Sequence, residues 1–426
     1  MSKSINLCEF KHSYSNEKLK ILEDENILRL RNDFDIFKQD IVYLDNSATT
    51  QKPNQVIEQI NEYYLKYCSN TNRSIYKLDT ISTNKIKDTR KIVSKFLNVE
   101  EGEIIFTSGA TESSNLLAYS YGLNNLKSKD EILFCDFDHK STVLPWINIS
   151  NILKKFNVNV KLKSFLIDTE GDYNEQDIKS KVNDFTKVVI LTHIHSVYGL
   201  EMNIQEIVNI IRQKNKNCKI VLDCSQSVGH IKVELKKLDI DFAYFSAHKM
   251  FASCGVGVCY VKRLNFKLMN PFMLGGGFNQ DIIDYNDIYK LFESGTSNIP
   301  GILSLGKAIE YIENIGIDLI ENYILELTRY CYERLKTITK IEFIKGIDKC
   351  SCKLGYGIIS FRIDSLNSNE IGEILSDYGI YVRTGRLCNY NEKEDYIRVS
   401  LHIYNNKSDI DKLVKALWEI LKESNI

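Results

Sequence analysis

Between residues 41 and 261 the chain alternates short apolar runs with helix-sized amphipathic stretches, and nothing else in the sequence narrows its fold as far. The runs are Ile41–Leu44, Glu103–Phe106, Glu131–Phe134, Val188–Leu191, Lys219–Leu222, Phe242–Phe245 and Gly257–Val261. A strand that is apolar at consecutive positions must bury both faces. Such strands, spaced by helices, predict an α/β sheet covered on two sides.

The pattern changes after Pro300-Gly301. A long helical stretch is expected from about Ile302 to Ile338, with Leu303, Leu305, Ala308, Ile309 and Ile312 at helical spacing. Strand-like Gly357–Phe361, a helix around Ile371–Leu375, Tyr381-Val382, Ile397–Ser400 and a final helix follow, which read as a smaller α+β unit. The division this predicts is a helical arm over residues 1–40 packing with the small domain, a large domain over 41–300, and a small domain over 301–426. At 426 residues the chain is long enough for both cores.

Charge excludes some partners. The 55 basic and 56 acidic side chains leave a formal net charge of −1, so no global field favours nucleic acid or an anionic membrane. The first residues lack an apolar signal core and carry Glu9, Glu17 and Glu23, and no apolar run approaches membrane-spanning length. A cytoplasmic location is expected. The 11 cysteines are scattered and odd in number, which fits reduced thiols. Cys350-Ser351-Cys352 reads as a loop, and His193-Ile194-His195 lacks an evident third ligand, so no metal site is expected.

The chemistry sits where strands end. Lys249, in Phe245-Ser246-Ala247-His248-Lys249, stands 26 positions after Asp223, and each follows an apolar run. A lysine amine that can form an imine and an aspartate that can keep a pyridine nitrogen protonated are the tools of pyridoxal phosphate (PLP) chemistry. Thr107-Ser108-Gly109-Ala110-Thr111 is a small-residue turn opening a helix, suited to an anion or to a plain cap. His139 follows another strand, where it can stack on a planar ring or simply be hydrogen-bonded. Cys388 lies on a Gly-containing loop with Arg386 beside it, which favours the thiolate; packed or solvated thiols are the bland alternative. Arg383 and Arg398 can both reach a carboxylate if their segments meet.

Taken in order, these segments resemble the fold-type I PLP enzymes of the class V aminotransferase family, and within it the cysteine desulfurases of the SufS-like (group II) branch. The resemblance runs from Tyr43 to about Leu421 and rests on Tyr43–Pro53, Thr107–Asn115, Asp138-His139 with Val143–Trp146, Asp223–His230, Ser246–Lys249, Gly275–Gly277 and Phe292–Ile299. It implies a mostly parallel seven-stranded sheet covered by helices. It also implies Lys249 as Schiff-base lysine, Asp223 as pyridinium partner, His139 stacked on the ring and Gln226 on the ring oxygen. Ala110, Thr111, Ser246 and His248 would hold the phosphate, with Thr296 reaching across from the second subunit of a homodimer. Arg383 and Arg398, with Asn72 and Arg73 bordering the partner's site, would bind substrate. Cys388 would take the sulfur of L-cysteine as a persulfide, releasing L-alanine and passing sulfur to an acceptor protein, for iron–sulfur clusters or another pathway. A different class V reaction on an amino acid, such as that of a selenocysteine lyase, β-lyase, epimerase or aminotransferase, is the alternative. Three segments depart from the pattern: Ser196 stands for a frequent Asn, Asn72-Arg73-Ser74 for His-Arg-Gly, and Gly385-Arg386-Leu387-Cys388-Asn389 for Gly-His-His-Cys-Ala.

Overall fold

The structure, a computed structural model, describes residues 29–71, 74–168, 171–276, 288–344, 355–391 and 393–424. Its first strand is β1 (Val42–Tyr43). The main sheet is built from β2 (Ile104–Thr107), β3 (Glu131–Cys135), β4 (Lys161–Phe165), β5 (Thr186–Thr192), β6 (Lys219–Asp223), β7 (Phe242–Ser246) and β8 (Gly257–Val261). These seven lie in the order β2-β8-β7-β6-β5-β3-β4. Only β8 runs against its neighbours, pairing antiparallel with β2 and β7.

Consecutive residues of the central strands feed two different cores, as the period of two requires. Leu133, Val189, Leu191, Ile220 and Leu222 pack into one. Ile132, Val188, Ile190 and Val221 pack into the other. The sheet is thus double-faced, as the apolar runs predict.

Three differences from the sequence reading have clear causes. The run at Ile41–Leu44 does form a strand, but β1 pairs in parallel with β11 (Ile380–Tyr381) instead of joining the main sheet. The seventh strand is β4, whose Lys-Leu-Lys-Ser-Phe carries no apolar run because it is an edge strand with Phe165 alone buried. The long helical stretch is two helices, Ile299–Ile315 and Ile317–Lys336, broken at Gly316, which takes the left-handed φ of +97°.

The second sheet is antiparallel, with β12 (Arg383–Arg386), β13 (Asp395–Ser400), β10 (Ile358–Ile363) and β9 (Ile341–Phe343) side by side. A third core of Leu327, Phe361, Leu375, Val399 and Leu417 backs it with helices Ile317–Lys336, Ser368–Asp377 and Lys407–Glu423. Near the start of the described chain, Arg31 bonds the Asp409 carboxylate at 2.8 Å and Phe34 packs against Phe251, Tyr311 and Tyr404. Among the described residues no helix is long and apolar enough to cross a membrane, and no group of three His, Cys, Asp or Glu is placed to hold a metal ion.

Candidate active site

Strands β2, β3, β5, β6 and β7 all end on one edge of the main sheet, where β8 begins: Gly257 lies opposite both Thr107 and Ser246. In α/β sheets this carboxyl edge is where ligands bind. Asp223 closes β6 with its carboxylate buried; it accepts from Thr142 Oγ1 at 2.7 Å and from the Ser225 N–H at 2.8 Å. On the neighbouring strand a single 3-10 turn, Ala247–Lys249, delivers Lys249. Burial brings the Lys249 ammonium down to about 8, with Asp223 opposing and Arg398 assisting. A lysine held there gives up its proton at little cost, the condition imine chemistry asks for.

The turn before helix Ala110–Leu117 is unusually tight. A Cβ on Gly257 would stand 2.5 Å from Gly109 Cα, so only two glycines let this strand and this turn touch. The Ala110 N–H donates to Ser246 Oγ at 2.8 Å, and Thr111 is exposed in the same first turn. His248 adds an imidazole whose buried Nδ1 has no hydrogen-bond partner among the described residues, and burial holds it at about 4, hence neutral. Its carbonyl accepts from the Thr50 N–H at 3.0 Å, from Thr49 and Thr50 Oγ1 at 3.1 Å each, and from Lys52 Nζ at 3.0 Å. Segment 49–52 therefore pins the turn that carries Lys249.

His139 caps helix Lys140–Lys155, its Nδ1 accepting from the Ser141 N–H at 3.2 Å. Burial, then Lys249, lowers the imidazole to about 4. It is a neutral flat ring among Lys249, Asp223 and Arg398. Gln226 donates from Nε2 to the Ser47 carbonyl at 2.8 Å, tying β6 to the start of the chain.

The facing side of the site comes from the small sheet. Arg398 is buried; it donates to the Ser196 carbonyl at 3.1 Å and to Asp45 Oδ1 at 3.3 Å, while its Nε has no hydrogen-bond partner among the described residues. Arg383 lies directly opposite Arg398 in the β12–β13 ladder. Two like charges there are unfavourable unless an anion lies between them.

Cys388 is exposed on the β12–β13 connection. Three backbone bonds stitch this connection to the segment carrying His139: Lys140 N–H to Cys388 O at 2.9 Å, Tyr390 N–H to Asp138 O at 2.9 Å and Asn391 N–H to Asp136 O at 3.2 Å. His139 and Asn389 form a β-bridge within it. The thiol is near enough to Lys249 and Arg398 to raise the pKa of each when ionised. Arg386, expected to act on that thiol, instead faces Asp395 across the strand pair at 3.8 Å, so a carboxylate shares its charge.

Thus Lys249, Asp223, His139, Arg398, Arg383 and Cys388 converge. Thr296 is exposed on a turn, directly after Gly295 at φ +84° and three residues after Glu293, which is bonded to Arg90. Asn72, Arg73 and the Cys350–Cys352 segment lie outside the described residues. His193 and His195 have separate partners: Glu201 at 3.7 Å and the Phe137 carbonyl at 2.8 Å. The sequence reading missed Asp45, Thr142 and Asn389, whose buried amide has no hydrogen-bond partner among the described residues. Asp45 and Thr142 had a signal, since each lies within a few residues of a segment singled out for the site.

The chain as a whole is similar to known proteins. The aminotransferase class-V family matches residues 42–413, and the chain belongs to that family. A probable cysteine desulfurase of Borreliella burgdorferi is 34% identical over 421 residues, covering 94% of this chain and 97% of that one. A cysteine desulfurase of Wigglesworthia glossinidia brevipalpis is 32% identical, covering 93% and 98%. The apo structure of cysteine desulfurase from Thermococcus onnurineus NA1 superposes with a TM-score of 0.84 at 30% identity, over 92% of this chain and 97% of that one. Within the family the chain groups with the cysteine desulfurases. The residues fit the family's cofactor: an unpartnered buried Nδ1 on His248 and a helix N-terminus for a phosphate, a buried carboxylate for a ring nitrogen, and an amine ready to form an imine. The cofactor is pyridoxal phosphate.

Proposed function

We propose that the protein is a PLP-dependent cysteine desulfurase in which Lys249 carries the cofactor and Cys388 takes the sulfur. The observation that carries this reading is the thiol itself, held by backbone bonds beside His139 and within electrostatic reach of both Lys249 and Arg398. A thiol so placed has no part in plain transamination. Bound PLP supplies an electron sink that weakens the bonds around the substrate's α-carbon. Asp223 would hold the ring nitrogen protonated, His139 would cover the ring face, Gln226 would meet the ring oxygen, and Ala110, Thr111, Ser246 and His248 would hold the phosphate. Arg398 and Arg383 orient the substrate carboxylate, and Lys249 Nζ moves the α-proton. The Cys388 thiolate attacks the substrate sulfur: an S–S bond forms as the Cβ–S bond breaks, the electron pair departs with the carbon fragment, and Cβ takes up a proton. L-alanine leaves, and the sulfur stays as a persulfide for an acceptor protein.

The reading includes a homodimer with shared sites, in which Thr296, Asn72 and Arg73 complete the partner's pocket. Large apolar side chains flanking the connection that carries Asn72 and Arg73 support it: Leu65 is 83% exposed, Ile75 101% and Tyr64 59%. Isologous pairing would cover them. The test is to give L-cysteine to the parent and to Cys388→Ala. The parent should yield alanine and a protein persulfide in equal amounts. Cys388→Ala should keep the yellow cofactor and bind L-cysteine but release almost no alanine. Undiminished alanine from the variant would remove Cys388, and the desulfurase reading with it.

A further inference from the structure

We propose that Asp45 receives the substrate's α-ammonium group and so makes this pocket select amino acids over simple carboxylates. The inference rests on the desulfurase reading of the site and extends it to a residue with no role there so far.

Asp45 stands where β1 leaves its partner and bridges to Ser400, two positions beyond Arg398 on β13. Its Oδ1 takes a hydrogen bond from Arg398 at 3.3 Å, and among the described residues Oδ2 has no hydrogen bond. The side chain keeps 18% exposure, so the carboxylate is not sealed off from an incoming molecule. Around it are three cations: Arg398, Arg383 and Lys249 all act electrostatically on its carboxyl. Burial of the Arg398 guanidinium demands a counter-charge, and Asp45 supplies it.

That arrangement sets a problem for an incoming anion. A substrate carboxylate must approach Arg398 beside an existing carboxylate, and like charges placed together are costly. An amino acid answers the problem, because its ammonium sits on the same carbon as its carboxylate, about 3 Å away by covalent geometry. The Arg398–Asp45 pair, with donor and acceptor 3.3 Å apart, presents the complementary pattern. The carboxylate meets the guanidinium while the ammonium meets Asp45 Oδ2. Held so, the amine stands next to Lys249, the group it has to displace. A carboxylic acid without an amine gains the first contact and suffers the repulsion uncompensated.

The experiment uses the holoenzyme, with L-cysteine and L-alanine as zwitterionic probes and propionate and 3-mercaptopropionate as probes lacking the amine. Binding is read as the shift in cofactor absorbance for the amino acids and as competitive inhibition constants for the acids. Asp45→Asn should weaken both amino acids about tenfold and tighten both simple acids about tenfold, an opposite-signed change. Asp45→Glu should keep the parent's rejection of propionate while weakening L-cysteine several-fold, and it carries the test if Asp45→Asn does not retain the cofactor. A merely structural aspartate would weaken all four probes together; that result, or no change, overturns the proposal. The underlying reading fails separately, if the parent makes no alanine from L-cysteine. The discrimination between L-alanine and propionate can still be measured in that case.

Discussion

Replacing Gly257 by alanine tests whether the contact between β8 and the Gly109 turn shapes the phosphate end of the site. The new Cβ would lie 2.5 Å from Gly109 Cα and 2.8 Å from both Gly109 C and the Phe245 carbonyl oxygen. Non-bonded carbons settle at about 3.5–4.0 Å, so roughly 1 Å of movement is forced on backbone, not on a flexible side-chain tip. Gly109 is held in place, because its carbonyl accepts from the Ser113 N–H at 3.0 Å and the next N–H donates to Ser246 Oγ at 2.8 Å. Overpacking of this kind costs about 1–3 kcal/mol. If the shift also breaks the Ala110–Ser246 bond, a buried donor is orphaned at a further cost of about 1–3 kcal/mol. Part of that strain falls on Ala110 and Ser246, proposed above to hold the phosphate, and each 1.4 kcal/mol or so is about a tenfold change in affinity. We expect Gly257→Ala to bind PLP at least about tenfold more weakly and to melt at lower temperature even without cofactor. The assay is titration of the apoprotein with PLP, followed by the visible band of the bound form, alongside thermal unfolding. Gly275→Ala is the control, since among the described residues its Cβ would meet only Ser294 Cβ at an ordinary 4.0 Å. If Gly257→Ala matches the parent in both measurements, this contact does not shape the site.

The remaining predictions concern stability and assembly. Arg90→Met strands the Glu293 carboxylate of a pair only 4% and 12% exposed, 2.8 Å apart, and should destabilise the protein by about 3–5 kcal/mol in chemical denaturation; adding Glu293→Gln should recover part of that loss, and no recovery would count against the pair. Burial holds His195 and His230 at about 4 against an ordinary 6.5, so the unfolded chain takes up protons that the folded chain refuses. Stability should be full above pH 6.5 and fall as the pH drops toward 4, by up to about 3 kcal/mol per imidazole; His230→Phe should flatten the profile of melting temperature against pH, and an unchanged slope would refute the assignment. Ile75→Asp should shift sedimentation toward the monomer with loss of alanine production, whereas a fully active parent monomer would refute shared sites.

The parts of the fold legible in the sequence were those whose burial leaves a local trace. Val188–Leu191 and Lys219–Leu222 read as strands because both faces are covered, so no polar residue interrupts them. β4 was illegible for the opposite reason, because an edge strand with exposed Lys161 and Leu162 looks like any loop. β1 was legible as a strand but not as to its partner, because pairing with Ile380–Tyr381 is a contact across more than three hundred positions that no local pattern encodes. Lys249 and Asp223 could be found because each ends an apolar run, and chemistry at the carboxyl edge of a parallel sheet follows from topology. Asp45 could not be assigned a role in the same way, since its meaning depends on Arg398 on the other sheet.

Cys388 shows why the departures around it need not disturb the site. The sequence Arg386-Leu387-Cys388-Asn389 differs from the related pattern at both positions before the thiol and the one after it. Yet the bonds that fix this stretch run from backbone to backbone, between residues 388–391 and residues 136–140. Main-chain donors and acceptors are the same for every residue but proline, so side chains here can change while the ladder survives. What must persist is the β-bridge between His139 and Asn389, because it sets the distance from the thiol to the His139 imidazole. A proline at position 390 would remove the N–H given to the Asp138 carbonyl and break the ladder, whatever side chains remained. Tyr390→Pro should therefore cost sulfur transfer while leaving PLP bound, whereas Tyr390→Phe, which keeps the N–H, should not.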